Sequence, residues 1–350
     1  MRLIVPSDKE LKLKQGTWVE EILPGRRVMG LFLAKEKKLL KGKTGKGYLL
    51  IKLADRTGEV EARIWDRVEQ LGERFQAGDL VKISGEASTY QGVLQVRILE
   101  LERDSSLDLS GLEEFVPGYE TRMACSREKL SELEDLVGGI QDGPLKELVR
   151  DFLQDPALRE GWIVAPAAKR LHHARLGGLL EHTLSVCRLV CLVCQHYPQL
   201  QKDLLLVGAV LHDVGKIREL QAPWKPDYTT EGRLLGHVIM GLAMLEERLA
   251  GHPEVLPEQA MLLRHMIASH HGVLEYGSPK RPKTLEALVL YMLDDLDAKF
   301  DAFQEHLATD PGEGEGWTSY HAMFDRYLYR GTGPVGGDGR PAEEAQERVE

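Results

Sequence analysis

The 350-residue chain is 43% hydrophobic and 29% charged, a balance that excludes a wholly disordered polymer and supplies apolar material for two ordinary cores. Its net charge of −10 argues against a nucleic-acid partner only until it is divided: residues 1–103 hold 20 lysines and arginines against 15 acids, leaving 25 against 40 for the remainder. A basic front and an acidic back point to one part that meets phosphates and another that includes metal-binding carboxylates.

The chain starts Met1-Arg2-Leu3-Ile4-Val5-Pro6-Ser7-Asp8, without the apolar segment of a secretion signal. A cytoplasmic protein is therefore expected. Between Arg26 and Asp104 come short β-type runs divided by turn residues: Arg27–Leu33, Gly47–Leu53, Glu59–Trp65, Leu80–Ser84 and Val93–Leu99. Asp55-Arg56-Thr57-Gly58 marks a hairpin turn between the second and third, and Asp66–Phe75 has helical spacing. Five strands with a helix after the third are the ingredients of an OB-fold barrel, placed at residues 1–104.

Residues 105–125 lose periodicity and gain Ser, Gly and Pro, which predicts a linker. From Ser126 the periodicity is helical, with predicted helices at Lys129–Ile140, Pro144–Asp155, Gly178–His196, Asp203–His212, Gly236–Leu249, Pro257–His271 and Thr284–His306. An all-α bundle over 126–330 follows the barrel. No run in it reaches the roughly 18 apolar residues of a membrane span, so no membrane partner is expected. Cys125 stands alone, while Cys187, Cys191 and Cys194 share a helix face and read as reduced core residues; a Cys191/Cys194 zinc site lacks a second pair. Residues 331–350 are too rich in Gly, Pro and charge to bury a core and read as a disordered tail.

Histidine positions carry the chemistry. His182 lies inside an apolar helix, and the His212-Asp213 pair closes another, Leu204–Leu211. A carboxylate there would be buried at a cost of several kcal/mol unless it is partnered. A divalent cation removes that cost. His237, the His270-His271 pair and Asp294 each sit on a further helix, as a multi-helix metal cage requires.

The order His182, His212-Asp213, Asp294 resembles the HD phosphohydrolase superfamily, and His237 with His270-His271 resembles its two-metal members. Gly177-Gly-Leu-Leu-Glu-His-Thr183, Leu211-His-Asp-Val-Gly-Lys216, Thr230-Glu-Gly-Arg-Leu-Leu-Gly-His237 and Ser269–Pro279 are similar to the YhaM-type 3′–5′ exoribonucleases, which join an OB-fold to an HD domain. The likeness covers roughly residues 20–310. It implies a hydrolase that removes nucleotides from the 3′ end of single-stranded RNA, or of single-stranded DNA, with divalent metal ions, one or two per site and Mn²⁺ the expected species. The implied metal ligands are His182, His212, Asp213, His237, His270, His271 and Asp294, with Asp297 as the alternative distal carboxylate because it shares a helix face with Asp294. His212, Asp213 and Lys216 are the expected catalytic group, in which Lys216 neutralises a phosphate oxygen or an acidic neighbour. Two cations about 3.5–4 Å apart would hold both the attacking and the leaving oxygen of an in-line displacement.

For the strand itself, Lys35, Lys37, Lys38, Lys41, Lys43 and Lys46 read as a flexible loop between the first two strands of the barrel, lining its binding face. Phe32, Tyr48, Trp65 and Tyr90 are available for base stacking, with at least two of them expected in the core. Arg175, with His172 and His173, and Lys280 with Arg281 are expected at the mouth of the metal site. A homo-oligomer is compatible with the sequence. Two rival readings remain: a phosphodiesterase of free or cyclic nucleotides, and a nucleic-acid-binding protein with a structural metal.

Overall fold

A computed structural model describes residues 16–41, 45–104, 115–169, 173, 175–221, 226–310, 312 and 316–331. Lys43, His172, residues 105–114 of the expected linker and all but the first residue of the expected tail lie outside them.

Strands β1 (Arg27–Lys41), β2 (Gly47–Asp55), β3 (Gly58–Ile64), β4 (Leu80–Tyr90) and β5 (Val93–Asp104) close into a barrel in the order β1-β2-β3-β5-β4. The β3–β5 pairing is parallel and the other pairings are antiparallel. The short helix α1 (Val68–Gly72) links β3 to β4. Alternate side chains such as Val28, Phe32, Ile51, Leu53, Ala62, Ile64, Val81, Ile83, Val96 and Ile98 fill the interior. This is the expected OB-fold.

Two readings of the barrel need correction. The lysine run is not a loop: Lys35–Lys41 belong to β1, which pairs with β2 as far as Lys41 opposite Gly47. Lysine density imitates a solvated turn, but main-chain pairing of a long hairpin arm overrides it. Of the four aromatics only Phe32 is fully buried; Tyr48 is partly buried, and Trp65 and Tyr90 are exposed. A strand's inward face depends on register, and β1 points Phe32 inward.

The helical region comprises α2 (Tyr119–Gly138), α3 (Gly143–Gln154), α4 (Pro156–Val164), α5 (Gly178–His196), α6 (Lys202–Leu211), α7 (Lys216–Glu219), α8 (Thr230–Leu249), α9 (Pro257–Ser269) and α10 (Leu285–Thr309). Four of these helices start on a side-chain cap. Asp142 and Asp155 accept from Leu145 N and from Ala157 and Leu158 N, each just ahead of a proline-led first turn, while Thr229 and Thr284 cap α8 and α10. Helix α2 begins at Tyr119, inside the segment expected as linker, because Met123, Ser126, Leu130 and Leu133 bury one face of it. The region is not wholly helical either: β6 (Leu220–Gln221) pairs with β7 (Asp227–Tyr228), and β8 (Trp317–His321) with β9 (Arg326–Tyr329).

Helix α5 is strongly apolar, although Glu181, His182 and Arg188 interrupt the run. By length and composition alone its 19 residues could cross a bilayer, yet 56% of its most apolar window is buried among the other helices. Leu179, Leu180, Leu184, Val186 and Val190 of α5 share one core with Leu205–Leu211 of α6, Leu263 and Ile267 of α9, and Leu290 and Leu293 of α10. These four helices carry most of the histidines and acids discussed next.

Candidate metal centre

His182 is fully buried in the first turns of α5, and His212 and Asp213 leave the end of α6. Gly215 is what lets α8 come close to this end: a Cβ there would lie 2.0 Å from the His237 carbonyl oxygen. Gly236, at φ 75° and ψ 157°, then breaks α8 so that His237 turns inward. His270 and His271 follow the last turn of α9, and Asp294 stands midway along α10.

These residues form two groups that share one carboxylate. In the first, His182 Nε2 lies 3.2 Å from His212 Nε2, 3.1 Å from Asp294 Oδ1 and 3.7 Å from Asp213 Oδ2. In the second, Asp213 Oδ1 lies 3.5 Å from both His237 Nε2 and His270 Nε2, and His237 Nε2 lies 3.2 Å from His271 Nε2. Asp213 thus offers one oxygen to each group. All seven residues expected as metal ligands converge.

The far sides of the His182, His212, His237 and His270 rings are held. His182 Nδ1 donates to Asp297 Oδ2 at 2.7 Å, His212 Nδ1 to the Ala209 carbonyl at 2.7 Å and His270 Nδ1 to the Ile267 carbonyl at 2.8 Å. Glu219 Oε1 accepts from the His237 backbone N–H at 2.9 Å and faces its Nδ1 at 3.2 Å. In a neutral ring with the proton on Nδ1, Nε2 keeps its lone pair for a metal. The fit to a cation rests on the atoms left over: Asp213 Oδ1 and His270 Nε2 are buried with no hydrogen-bond partner. Buried acceptors without donors are costly, and a divalent ion is what this donor set of imidazole and carboxylate accommodates.

The electrostatics agree. Burial opposes a charge on His182, yet Asp294 and Asp297 outweigh it and push its pKa up to about 9. Burial likewise opposes ionisation of Asp213, but Lys216 and His212 hold its carboxyl well below the usual range. Around His271, burial and the neighbouring His270 push the pKa down to about 4, so this ring is neutral and able to ligate.

Other expected site residues fall differently. Lys216 Nζ is buried 2.6 Å from Asp213 Oδ2, the acidic neighbour it was expected to neutralise. Asp297 does not join the cluster of ligand atoms around Asp213: it accepts from His182 and from His173 Nε2 at 3.1 Å and from Ser185 Oγ. The Arg175 guanidinium is bound to Asp301 Oδ1 at 2.9 Å and Glu181 Oε2 at 3.0 Å. Lys280 and Arg281 are exposed on the loop after His271, which Lys280 N ties to the Ala268 carbonyl of α9 at 3.2 Å. Glu219, Ser185 and Asp301 were not anticipated in supporting roles, whereas His173 was singled out beside Arg175. Of the three, only Asp301 had a signal, its i+7 spacing from Asp294 along one helix face. The metal-ligating groups found among the described residues include no cysteine.

On the barrel, Tyr48 and Trp65 stack with ring centroids 4.4 Å apart and planes 21° from parallel. The Arg63 guanidinium lies 5.7 Å from the Tyr48 ring and 5.9 Å from that of Tyr90. These groups form one aromatic and cationic surface. Lys37 is spent on structure, donating to the Gly72 and Phe75 carbonyls at the end of α1, and Lys35 and Lys38 pair with Glu59 and Glu36. Lys41 and Lys46 remain exposed at the hairpin tip.

Comparison with known families places these features. Residues 179–299 match the HD domain, and residues 27–103 match the OB-fold nucleic acid binding domain. The first span contains every member of the histidine and aspartate cluster. Among solved structures, the chain is similar to the second OB-fold domain of replication protein A from Methanococcus maripaludis (19% identity over 26% of this chain and 98% of that one, TM-score 0.22). It is also similar to a mitochondrial single-stranded DNA binding protein from S. cerevisiae (14% identity, 23% and 97%, TM-score 0.20). A third is the single-stranded DNA binding protein from Thermus aquaticus (17% identity, 27% and 44%, TM-score 0.22). An HD domain with this cluster indicates a metal-dependent phosphohydrolase. Joined to a nucleic-acid-binding OB-fold, it supports a phosphohydrolase of nucleic acid.

Proposed function

We propose that this protein is a 3′–5′ exoribonuclease that holds single-stranded RNA on its barrel and hydrolyses terminal phosphodiester bonds at the histidine and aspartate cluster. The observation that carries the reading is Asp213, whose two oxygens face two separate sets of histidines. His182, His212, Asp213 and Asp294 would hold one divalent ion, and Asp213, His237, His270 and His271 a second, with Mn²⁺ as the expected species. When bound, such ions activate water and offset the charge that builds on phosphate.

The chain's own residues supply position and charge balance. Asp297, Glu219 and the carbonyls of Ala209 and Ile267 fix the rings of His182, His237, His212 and His270 so that each of these four turns its Nε2 into the cluster. Lys216 offsets the charge of Asp213, whose burial beside Asp294 would otherwise concentrate negative charge where a phosphate must approach. Tyr48, Trp65 and Tyr90 present ring faces to bases without regard to sequence, and Arg63, Lys41 and Lys46 meet the backbone. Lys280 and Arg281, exposed on the loop after His271, would hold the phosphates nearest the site. In the reaction a water oxygen bonds to phosphorus as the ester P–O bond breaks, and the proton released passes to the leaving oxygen. RNA over DNA, and the 3′ end as the end attacked, rest on the similarity of the four motif stretches to YhaM-type enzymes.

The test compares substrates. With Mn²⁺, a single-stranded oligoribonucleotide is expected to be turned over far faster than mononucleotides or cyclic nucleotides. Equal turnover of both would move the function to free nucleotides.

A further inference from the structure

Helix α10 carries Asp294, Asp297 and Asp301 toward the cluster, and its other face is apolar and exposed. Leu285, Leu288, Met292, Leu296 and Phe300 succeed one another at spacings of three and four and are between 41% and 60% exposed. The solvent side of a helix ordinarily carries polar groups. Of the exposed residues from Leu285 to Phe300, only Lys299 is charged, and it is paired with Asp295 at 2.7 Å. Single exposed apolar residues need no explanation, but a contiguous row does.

We infer that this row is a self-association surface on which a second copy of the chain packs its own α10 in antiparallel orientation. Leu288, Met292, Leu296 and Phe300 form an i, i+4 ridge, the kind that interdigitates between crossing helices. An evenly spaced ridge is its own complement about a two-fold axis, which is what an isologous dimer requires. With the axis between Met292 and Leu296, Met292 meets Leu296 of the second copy, and Leu288 meets the larger Phe300. Half-exposed side chains of this size offer roughly 100 Å² each, so five from each copy bury about 1,000 Å², the lower bound for a specific interface. The Asp295–Lys299 pair at the edge is neutral as a unit, so no net charge on this face opposes the approach. The dimer would clamp from outside the helix that supplies Asp294 and Asp297.

Sedimentation velocity on the full chain is expected to give twice 39.3 kDa. The Leu288→Glu, Met292→Glu double variant is expected to sediment at the single-chain mass with unchanged far-ultraviolet dichroism, whereas Leu234→Glu, at an exposed leucine elsewhere, stays dimeric. Register is read by mild oxidation: Met292→Cys mixed with Leu296→Cys is expected to cross-link faster than either variant alone, with the wild type as background for Cys125. A dimer that survives the double substitution overturns the assignment. So does a monomeric wild type.

Discussion

Asp213 Oδ1 and His270 Nε2 face each other at 3.5 Å, both buried and neither hydrogen-bonded. The other oxygen of Asp213 lies 2.6 Å from Lys216 Nζ and 3.5 Å from His212 Nε2. The carboxylate is therefore divided between two environments, one of them completed by side chains and the other left wanting a cation.

Metal content follows from that division. Purified protein loaded with Mn²⁺ and measured by elemental analysis is expected to hold two ions per chain, His270→Ala one, and Asp213→Asn none. Two ions retained in Asp213→Asn would remove the shared carboxylate from the centre.

Asp297 accepts from His182 and stands outside the group around Asp213. Asp297→Asn weakens the bond that fixes His182, so Mn²⁺ affinity by calorimetry is expected to fall about 10–100-fold while stoichiometry is kept. Unchanged affinity would reduce Asp297 to a structural acid.

The barrel surface separates stacking from core. Trp65→Ala is expected to weaken single-strand binding by about 1–3 kcal/mol with stability unchanged, whereas Phe32→Ala costs about 3–5 kcal/mol of stability. Replacing Lys41 and Lys46 with alanine should shallow the salt dependence of binding by roughly 0.7 in log–log slope for each phosphate no longer neutralised. Fluorescence anisotropy against salt concentration measures the binding effects, and urea unfolding the loss of stability.

Asp155 gives a pH prediction away from the metal centre. The Arg248 guanidinium, with the Leu158 and Ala157 N–H groups, holds its carboxyl below the ordinary 3.8. A depressed folded pKa means that the stabilisation is present above the unfolded value and is lost as pH falls through the folded one. Urea unfolding should therefore show Asp155→Asn weaker than wild type near neutral pH, with the gap closing below about pH 4. Asp155→Ala also loses the α4 cap, about 1 kcal/mol more. A gap that widens in acid would contradict the ion pair.

Much of the site was legible because its histidines stand where apolar helices begin, end or break, at positions a core would not choose. What escaped was what depends on distances between elements. Asp294 and Asp297 share a helix face, and only the packing of α5 on α10 decides that Asp294 reaches His182 Nε2 while Asp297 takes Nδ1. Glu219 and Ser185 are ordinary polar residues until a histidine from another element is placed beside them. On the barrel, the strand count and the position of α1 were readable from turn residues and alternation. Strand length was not: a lysine-rich hairpin arm and a lysine-rich loop have the same composition.

Hydrolysis of single-stranded RNA from its 3′ end at the cluster around Asp213, as proposed, can be tested directly. The most direct measurement follows 5′-labelled single-stranded RNA incubated with the protein and Mn²⁺ beside the Asp213→Ala variant. A ladder that shortens progressively from the 3′ end with wild type and is absent with the variant is the expected result. Equal degradation by Asp213→Ala, or wild-type products cut internally from the outset, would contradict it.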